Sequence, residues 1–218
     1  LIALAEAGID EFAVVCGYQS EKIKSLADKA PVNFLPIENQ RWAETNMLSS
    51  LWSAVDWAGG DECVISYSDI VYPSRHVKSL LSSPHPVSLT YDVDWERLWR
   101  LRSGGDPLLD AETFCEEGGL LKEIGHKPQS LDQVRGQYMG LLKLSGEGWS
   151  IWRKRCQGLG PAMDKTDMTA FLQKLLGDGC RIGAVPVHGA WCEVDSDSDL
   201  DLYEKALADG DFSHDWRK

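Results

Sequence analysis

The sequence has no CxxC pair, no long apolar run and no glycine-rich phosphate loop of the Walker or dinucleotide type. Each absence removes a class of function. Without paired cysteines a zinc knuckle is disfavoured. The six cysteines, Cys16, Cys63, Cys115, Cys156, Cys180 and Cys192, are scattered, several of them in apolar strand-like runs. There a reduced thiol acts as a small hydrophobe, and the pattern predicts a reducing compartment, the cytoplasm. The longest apolar runs, such as Phe12 to Cys16, fall far short of the roughly 18 residues of a membrane span. Bases are in deficit, 22 against 34 acids, for a formal net charge of −12. That balance argues against non-specific binding of nucleic acid or anionic lipid, while allowing a small anionic ligand at a local site or a metal. The five histidines show no metal-ligand spacing. No Gly-x-Ser-x-Gly elbow or Cys/His pair supports acyl transfer.

What is present reads as one domain of 218 residues, long enough to bury a core without disulfide or metal staples. Short β-rich runs alternate with helical patterns through the first half. Strands are expected at Glu11 to Cys16, Val32 to Ile37, Glu62 to Tyr67 and Val87 to Val93. Between them come helices capped by Ser20, by Thr45 or Asn46, and opened by Pro73. Such βαβ alternation predicts a largely parallel sheet. The second half adds a short helix near Asp94 to Leu101 and antiparallel pieces at Leu108 to Phe114 and Leu120 to Ile124. Further strands are expected at Gly136 to Leu144 and Arg181 to Val187, and helices at Trp149 to Cys156, Asp167 to Leu176 and a last one capped by Asp197 or Ser198. The expected fold is therefore a three-layer α/β domain with an antiparallel extension. At the start, Leu1 to Ala7 reads as the end of an amphipathic helix closed by Gly8, with no helix start before it, so upstream sequence is expected to be missing. The tail Asp211 to Lys218 is expected to pack loosely.

Four groups of residues stand out as candidates. Asp69 follows an apolar strand, where ligands of open α/β sheets bind and a carboxylate can hold Mg²⁺; a turn or helix cap explains it equally. Asp195 lies in the carboxylate-rich run Trp191-Cys192-Glu193-Val194-Asp195. Glu193 and Asp195 share a face if the strand reaches that far, while Asp197 or Asp199 is expected to cap the following helix. Asn46 and Ser49 sit at a helix N-terminus, suited to phosphate or ribose, or to plain capping. Tyr91 to Arg102 interleaves aromatics with acids and arginines, as a box for an alkylammonium head would, or as a surface helix whose Trp95 and Trp99 are core. Asp110, Glu112 and the strand Gly136-Gln137-Tyr138-Met139-Gly140 are further candidates.

In order and spacing, these landmarks resemble the nucleotidyltransferase family with a glycosyltransferase-A-like fold, closest to its phosphocholine and aminoethylphosphonate cytidylyltransferase-like branch. The likeness runs from Gly8-Ile9-Asp10-Glu11 and Val14 to Tyr18, through Asn46 to Leu51 and Ile65 to Asp69. It continues to Gly136-Gln137-Tyr138-Met139-Gly140-Leu141 and Trp191 to Asp195. The resemblance implies a three-layer Rossmann-like mixed sheet of the nucleotide-diphospho-sugar transferase type, N-terminally truncated. It implies Asp69 and Asp195 as catalytic Mg²⁺ ligands, and Asn46 and Ser49 facing the nucleotide. It puts Asp94, Trp95, Arg102, Glu112, Tyr138 and Trp191 around the acceptor, with Arg102 as a phosphate-side or structural contact. The implied partners are an NTP, CTP foremost, and a small phosphorylated or phosphonylated acceptor. Sugar-1-phosphate transfer and a non-catalytic binding module are the alternatives. The family's first strand and its loop of the type Leu-Ala-Ala-Gly-x-Gly-x-Arg do not occur here, so the chain as given is expected to lack turnover while the full gene product is an enzyme.

Overall fold

In the computed structural model, which describes residues 1–218, helix α1 (Ile2–Glu6) closes as its glycine predicts. Gly8 takes φ +98°, Ile9 N donates to Leu4 O (3.2 Å) and Gly8 N to Ala5 O (3.0 Å). These are the paired bonds of a Schellman motif. Strand β1 (Ala13–Cys16) leads to α2 (Ser20–Leu26) and β2 (Leu35–Glu38). Ser20 does not cap α2: Gln19 precedes it in a left-handed conformation, and Ser20 Oγ donates to Glu38 Oε1 at 2.8 Å instead. Asn46 does cap α3 (Met47–Ser53), accepting from Met47 N at 2.7 Å. Then come β3 (Cys63–Ser66), β4 (Ile70–Val71), α4 (Ser74–Leu81) behind Pro73, β5 (Val87–Asp92) and α5 (Trp95–Arg102).

The strand expected over Leu108 to Phe114 is absent, because Asp106 caps a 3-10 turn at Pro107–Leu109. The extended chain resumes only in β6 (Phe114–Glu117), which forms an antiparallel hairpin with β7 (Leu120–Ile124). The chain continues through β8 (Gln137–Leu144), α6 (Gly146–Leu159), α7 (Met168–Gly177), β9 (Ile182–Val187), β10 (Cys192–Glu193) and α8 (Asp197–Asp209).

The main sheet has the order β3-β8-β5-β9-β7-β6, and β1 with β2 form a separate parallel pair. It is mixed rather than largely parallel: β5 and β9 are its only neighbours that pair parallel. Strands β3 and β5 do point the same way, as their helical crossover requires, but β8 lies antiparallel between them. That placement depends on a strand from much later in the chain, which local alternation does not report.

Both faces of the sheet are covered. On one, Trp149 and Trp152 of α6 and Phe171 and Leu172 of α7 pack on Val87, Leu89, Leu142 and Ile182. On the other, Val77 and Leu80 of α4, Trp95, Leu98 and Trp99 of α5, and Tyr203 of α8 pack on Met139, Leu141 and Val187. All six residues of β5 are buried in consequence. The C-terminal segment belongs to this second layer and does not pack loosely: Phe212, His214 and Asp215 are buried.

Candidate active site

Two strand ends build the centre. The two-residue strands β4 and β10 pair antiparallel, with Cys192 opposite Val71 and Glu193 opposite Ile70. One step further, Val194 N donates to Asp69 O at 2.9 Å. This register brings Asp69 and Asp195 side by side at the mouth of the sheet, both exposed. Partial desolvation raises the Asp69 pKa, and the neighbouring Asp195 charge adds to the rise. Two adjacent like charges with only oxygen donors suit a hard cation. Mg²⁺ takes one or two protein carboxylates and completes its shell with water and phosphate. The pair therefore fits Mg²⁺, and no cluster of three or more His, Cys, Asp or Glu offers a rival cage.

The loop carrying Asp195 is rooted in a buried carboxylate. Asp92, wholly buried at the end of β5, accepts from Gly189 N (2.8 Å), Asp94 N (2.9 Å) and Trp191 Nε1 (2.9 Å), and its Oδ2 lies 2.9 Å from His214 Nε2. Burial alone would raise its pKa, but this ring of partners holds it below the usual carboxylate range. Gly189 and Ala190 both take positive φ (+52° and +56°), a strained turn that the Asp92 contacts hold in place.

Arg102 closes the opposite side. Its terminal nitrogens donate to Glu193 Oε1 and Asp195 Oδ2. Asp199 Oδ1 lies 3.5 Å from Nε, and Asp110 Oδ2 lies 3.8 Å from Nη1. The guanidinium stands 5.3 Å from the Trp99 ring centroid. Arg102 is thus a structural contact to carboxylates in this arrangement. Asp199 is itself fixed by a capping box with Ser196 at the head of α8, so the cap of that helix is Ser196 rather than Asp197 or Ser198.

Beside this centre lies a cavity of about 310 Å³ lined by Met47, Tyr67, Tyr138, Glu112, Asp167 and Glu193, among others. Tyr67 and Tyr138 meet edge to face, centroids 5.9 Å apart. The Tyr67 hydroxyl donates to Met47 Sδ (2.9 Å), while that of Tyr138 has no partner. Burial raises the pKa of Glu112, opposed by a 3.3 Å hydrogen bond from Thr169 Oγ1. Glu193 is pushed up to about 7 by burial, with the Arg102 charge pulling the other way. An aromatic wall ringed by three carboxylates is an environment for an organic cation.

The structure thus gathers Asp69, Asp195, Glu112, Tyr138 and Arg102 around one cleft. It does not gather the rest. Trp95 and Trp191 are core side chains, 4% and 0% exposed, and Trp191 spends its indole N–H on Asp92. Asp94 lies 3.4 Å from His188 at the surface. Ser49 Oγ donates to Asp164 Oδ1 (3.0 Å), and Asn46 N to Asp164 O (2.8 Å), so both are tied to the 3-10 segment Gly160–Lys165. Their neighbour Met47 reaches the cavity. Sequence reading missed Tyr67, Asp167 and Thr169 as lining residues; Tyr67 alone carried a signal, two positions before Asp69 on the same strand end.

No protein-family model matches the chain. Among curated proteins, it is 32% identical over 212 residues to the CTP:phosphoglutamine cytidylyltransferase of Campylobacter jejuni, covering 92% of this chain and 83% of that one. It is 33% identical over 171 residues to the 2-aminoethylphosphonate cytidylyltransferase of Lancefieldella rimae, covering 66% and 67%. Among solved structures, the inositol-1-phosphate CTP transferase of T. maritima superposes with a TM-score of 0.69 at 18% identity, over 93% of this chain and 78% of that one. A Bacillus anthracis protein assigned as a glucose-1-phosphate thymidylyltransferase gives 0.71 at 13% identity, over 99% and 83%. The last two establish the fold alone.

Proposed function

Because the chain belongs to the cytidylyltransferases, a branch of the nucleotidyltransferases, we propose that it joins CTP to a small phosphorylated or phosphonylated acceptor bearing a cationic amine. 2-Aminoethylphosphonate and phosphocholine are acceptors of this kind. The observation that carries the reading is the cavity beside Asp69 and Asp195, with Tyr67 and Tyr138 as its aromatic wall and Glu112, Asp167 and Glu193 as its acids. An ammonium or trimethylammonium head gains charge and cation–π attraction there. A phosphoglutamine acceptor brings an α-carboxylate as well, which would face Glu112 and Asp167 with no basic side chain in the lining to meet it, so the amine without an acid is the better fit. A sugar phosphate would find charge where it needs neutral hydrogen-bonding groups.

In the proposed reaction an oxygen of the acceptor's phosphate or phosphonate attacks the α-phosphorus of CTP in line. The bond to the β-phosphate breaks, and pyrophosphate leaves. Mg²⁺ bound at Asp69 and Asp195 would supply the positive charge that the crowded phosphate oxygens need. The chain's own task is positioning. The acidic cavity holds the amine so that the other end of the acceptor lies at the carboxylate pair, and the first turn of α3 presents Met47 in its lining. Free thiols at all six cysteines support a cytoplasmic setting.

The test uses the protein as encoded by its gene, with Mg²⁺, each of the four NTPs, and 2-aminoethylphosphonate, phosphocholine, phosphoglutamine or a sugar-1-phosphate. Pyrophosphate release confined to CTP with an amine acceptor lacking a carboxylate is the expected result. Release with the sugar phosphate, or with none of them, overturns the acceptor assignment. Asp69→Asn and Asp195→Asn are each expected to lower turnover by at least about a hundredfold with an unchanged circular dichroism spectrum; near-normal turnover in either removes that residue from the metal site.

A further inference from the structure

We propose that Arg102 is the built-in counter-cation of the metal site, holding Asp195 when no divalent ion is bound and thereby setting the affinity for that ion. The inference rests on the reading of Asp69 and Asp195 as the metal pair.

The geometry makes Arg102 a fixed hub with one releasable partner. Its side chain is only 10% exposed, and its guanidinium is stacked near Trp99. Glu193, one of its partners, is anchored in β10 and 21% exposed. Asp199, another, is 12% exposed and held by three bonds to its Oδ2, from Asp195 N (3.1 Å), Ser196 N (3.0 Å) and Ser196 Oγ (2.9 Å). Asp195 is the well-exposed partner within hydrogen-bond distance, at 51%; Asp110, 66% exposed, stands further off at 3.8 Å, and Asp195 lies on the side where Val194 joins Asp69.

The Asp195 carboxylate is half in water, so solvent offsets part of what it loses on leaving the guanidinium. Asp195 can therefore leave the guanidinium for a divalent cation while Arg102 keeps Glu193, Asp199 and Trp99. Its fixed positive charge nevertheless stays close to the ion and opposes it. Arg102 is thus a positioning residue that acts through Asp195. Two consequences follow from one arrangement: Asp195 is preorganised near Asp69 before metal arrives, and the ion binds less tightly than the bare carboxylates would hold it.

The experiment is a Mn²⁺ titration of the 218-residue chain, with free Mn²⁺ followed by electron paramagnetic resonance. It needs no turnover. Asp69→Asn and Asp195→Asn serve as controls and must each weaken binding; if they do not, the metal reading itself fails and the inference with it. With those controls in place, Arg102→Gln is expected to bind Mn²⁺ at least tenfold more tightly than wild type. Loss of a merely structural arginine would leave affinity unchanged or weaken it, and either result overturns the proposal. Arg102→Gln orphans the buried Glu193, so the double variant Arg102→Gln, Glu193→Gln is measured alongside. It removes the buried charge together with its partner, and the same tightening is expected.

Discussion

His76 is 4% exposed on α4, and its Nδ1 has no partner. Burial first, and then the Arg75 charge, push its pKa down to about 4, with Asp92 pulling the other way. The unfolded chain takes up a proton below 6.5, the ordinary value, where the native protein does not. Between about 4 and 6.5 the unfolded state therefore binds more protons, and stability rises with pH through that window. On acidification the loss at this site amounts to roughly 3 kcal/mol, near 1.4 kcal/mol for each pH unit. Urea unfolding at intervals from pH 4 to pH 7 is expected to show that slope, and His76→Leu to flatten it. Other single residues were legible from sequence because their work is local. Asn46 caps its helix, Asp199 completes a cap three residues beyond Ser196, and Gly8 closes α1. Ser20 was misread because its hydroxyl had a carboxylate on another strand to choose.

At the scale of elements, β8 owes its path to two glycines. Gly136 passes so close to Tyr91 that an added Cβ would lie 2.4 Å from the ring, and Gly140 takes φ +77° with Tyr67 only 2.7 Å from the position of a Cβ. Gly140→Ala is expected to cost about 1–3 kcal/mol and, by displacing Tyr67 from the cavity wall, to raise KM for the acceptor more than it lowers kcat. Thermal melts and steady-state kinetics check the two halves; an unchanged KM would mean that Tyr67 does not contact the acceptor. Ser196→Ala is expected to cost about 1 kcal/mol by loss of the cap, measured by denaturant unfolding. The two glycines were readable as marks of close approach. What they approach was not, since Tyr91 and Tyr67 come from strands on opposite sides of β8.

Across the whole molecule, the C-terminal segment ties the second layer to the site. Phe212 packs against Tyr203, centroids 5.2 Å apart, and His214 contacts Asp92, from which the Trp191 to Asp195 run is hung. Removing residues 211–218 strands the Asp92 carboxylate beside Trp191 and uncovers an aromatic cluster. A loss of about 3–5 kcal/mol is expected from breaking such a buried pair. A melting temperature within a degree or two of the full chain would show that the tail is not part of the core. Nothing in the local pattern of Asp211 to Lys218 predicted this burial, because the partner that explains His214 lies at the end of β5.

Local pattern is enough to set the alternation of strands and helices, most helix ends, the two apolar faces and the placement of Asp69 at a strand end. All of these follow from steric and hydrogen-bonding preferences acting over a few residues. Long-range packing is what runs β8 between β3 and β5, lays Asp69 beside Asp195 through β4 and β10, and gathers Glu193, Asp195 and Asp199 on Arg102. The same packing makes Tyr67 and Tyr138 the aromatics of the cavity beside Asp69 and Asp195, while Trp95 and Trp191 go to the core. The physical reason is burial: an indole at a helix start or strand end serves equally well as core or as binding wall. The choice between them is made by which layer closes over it.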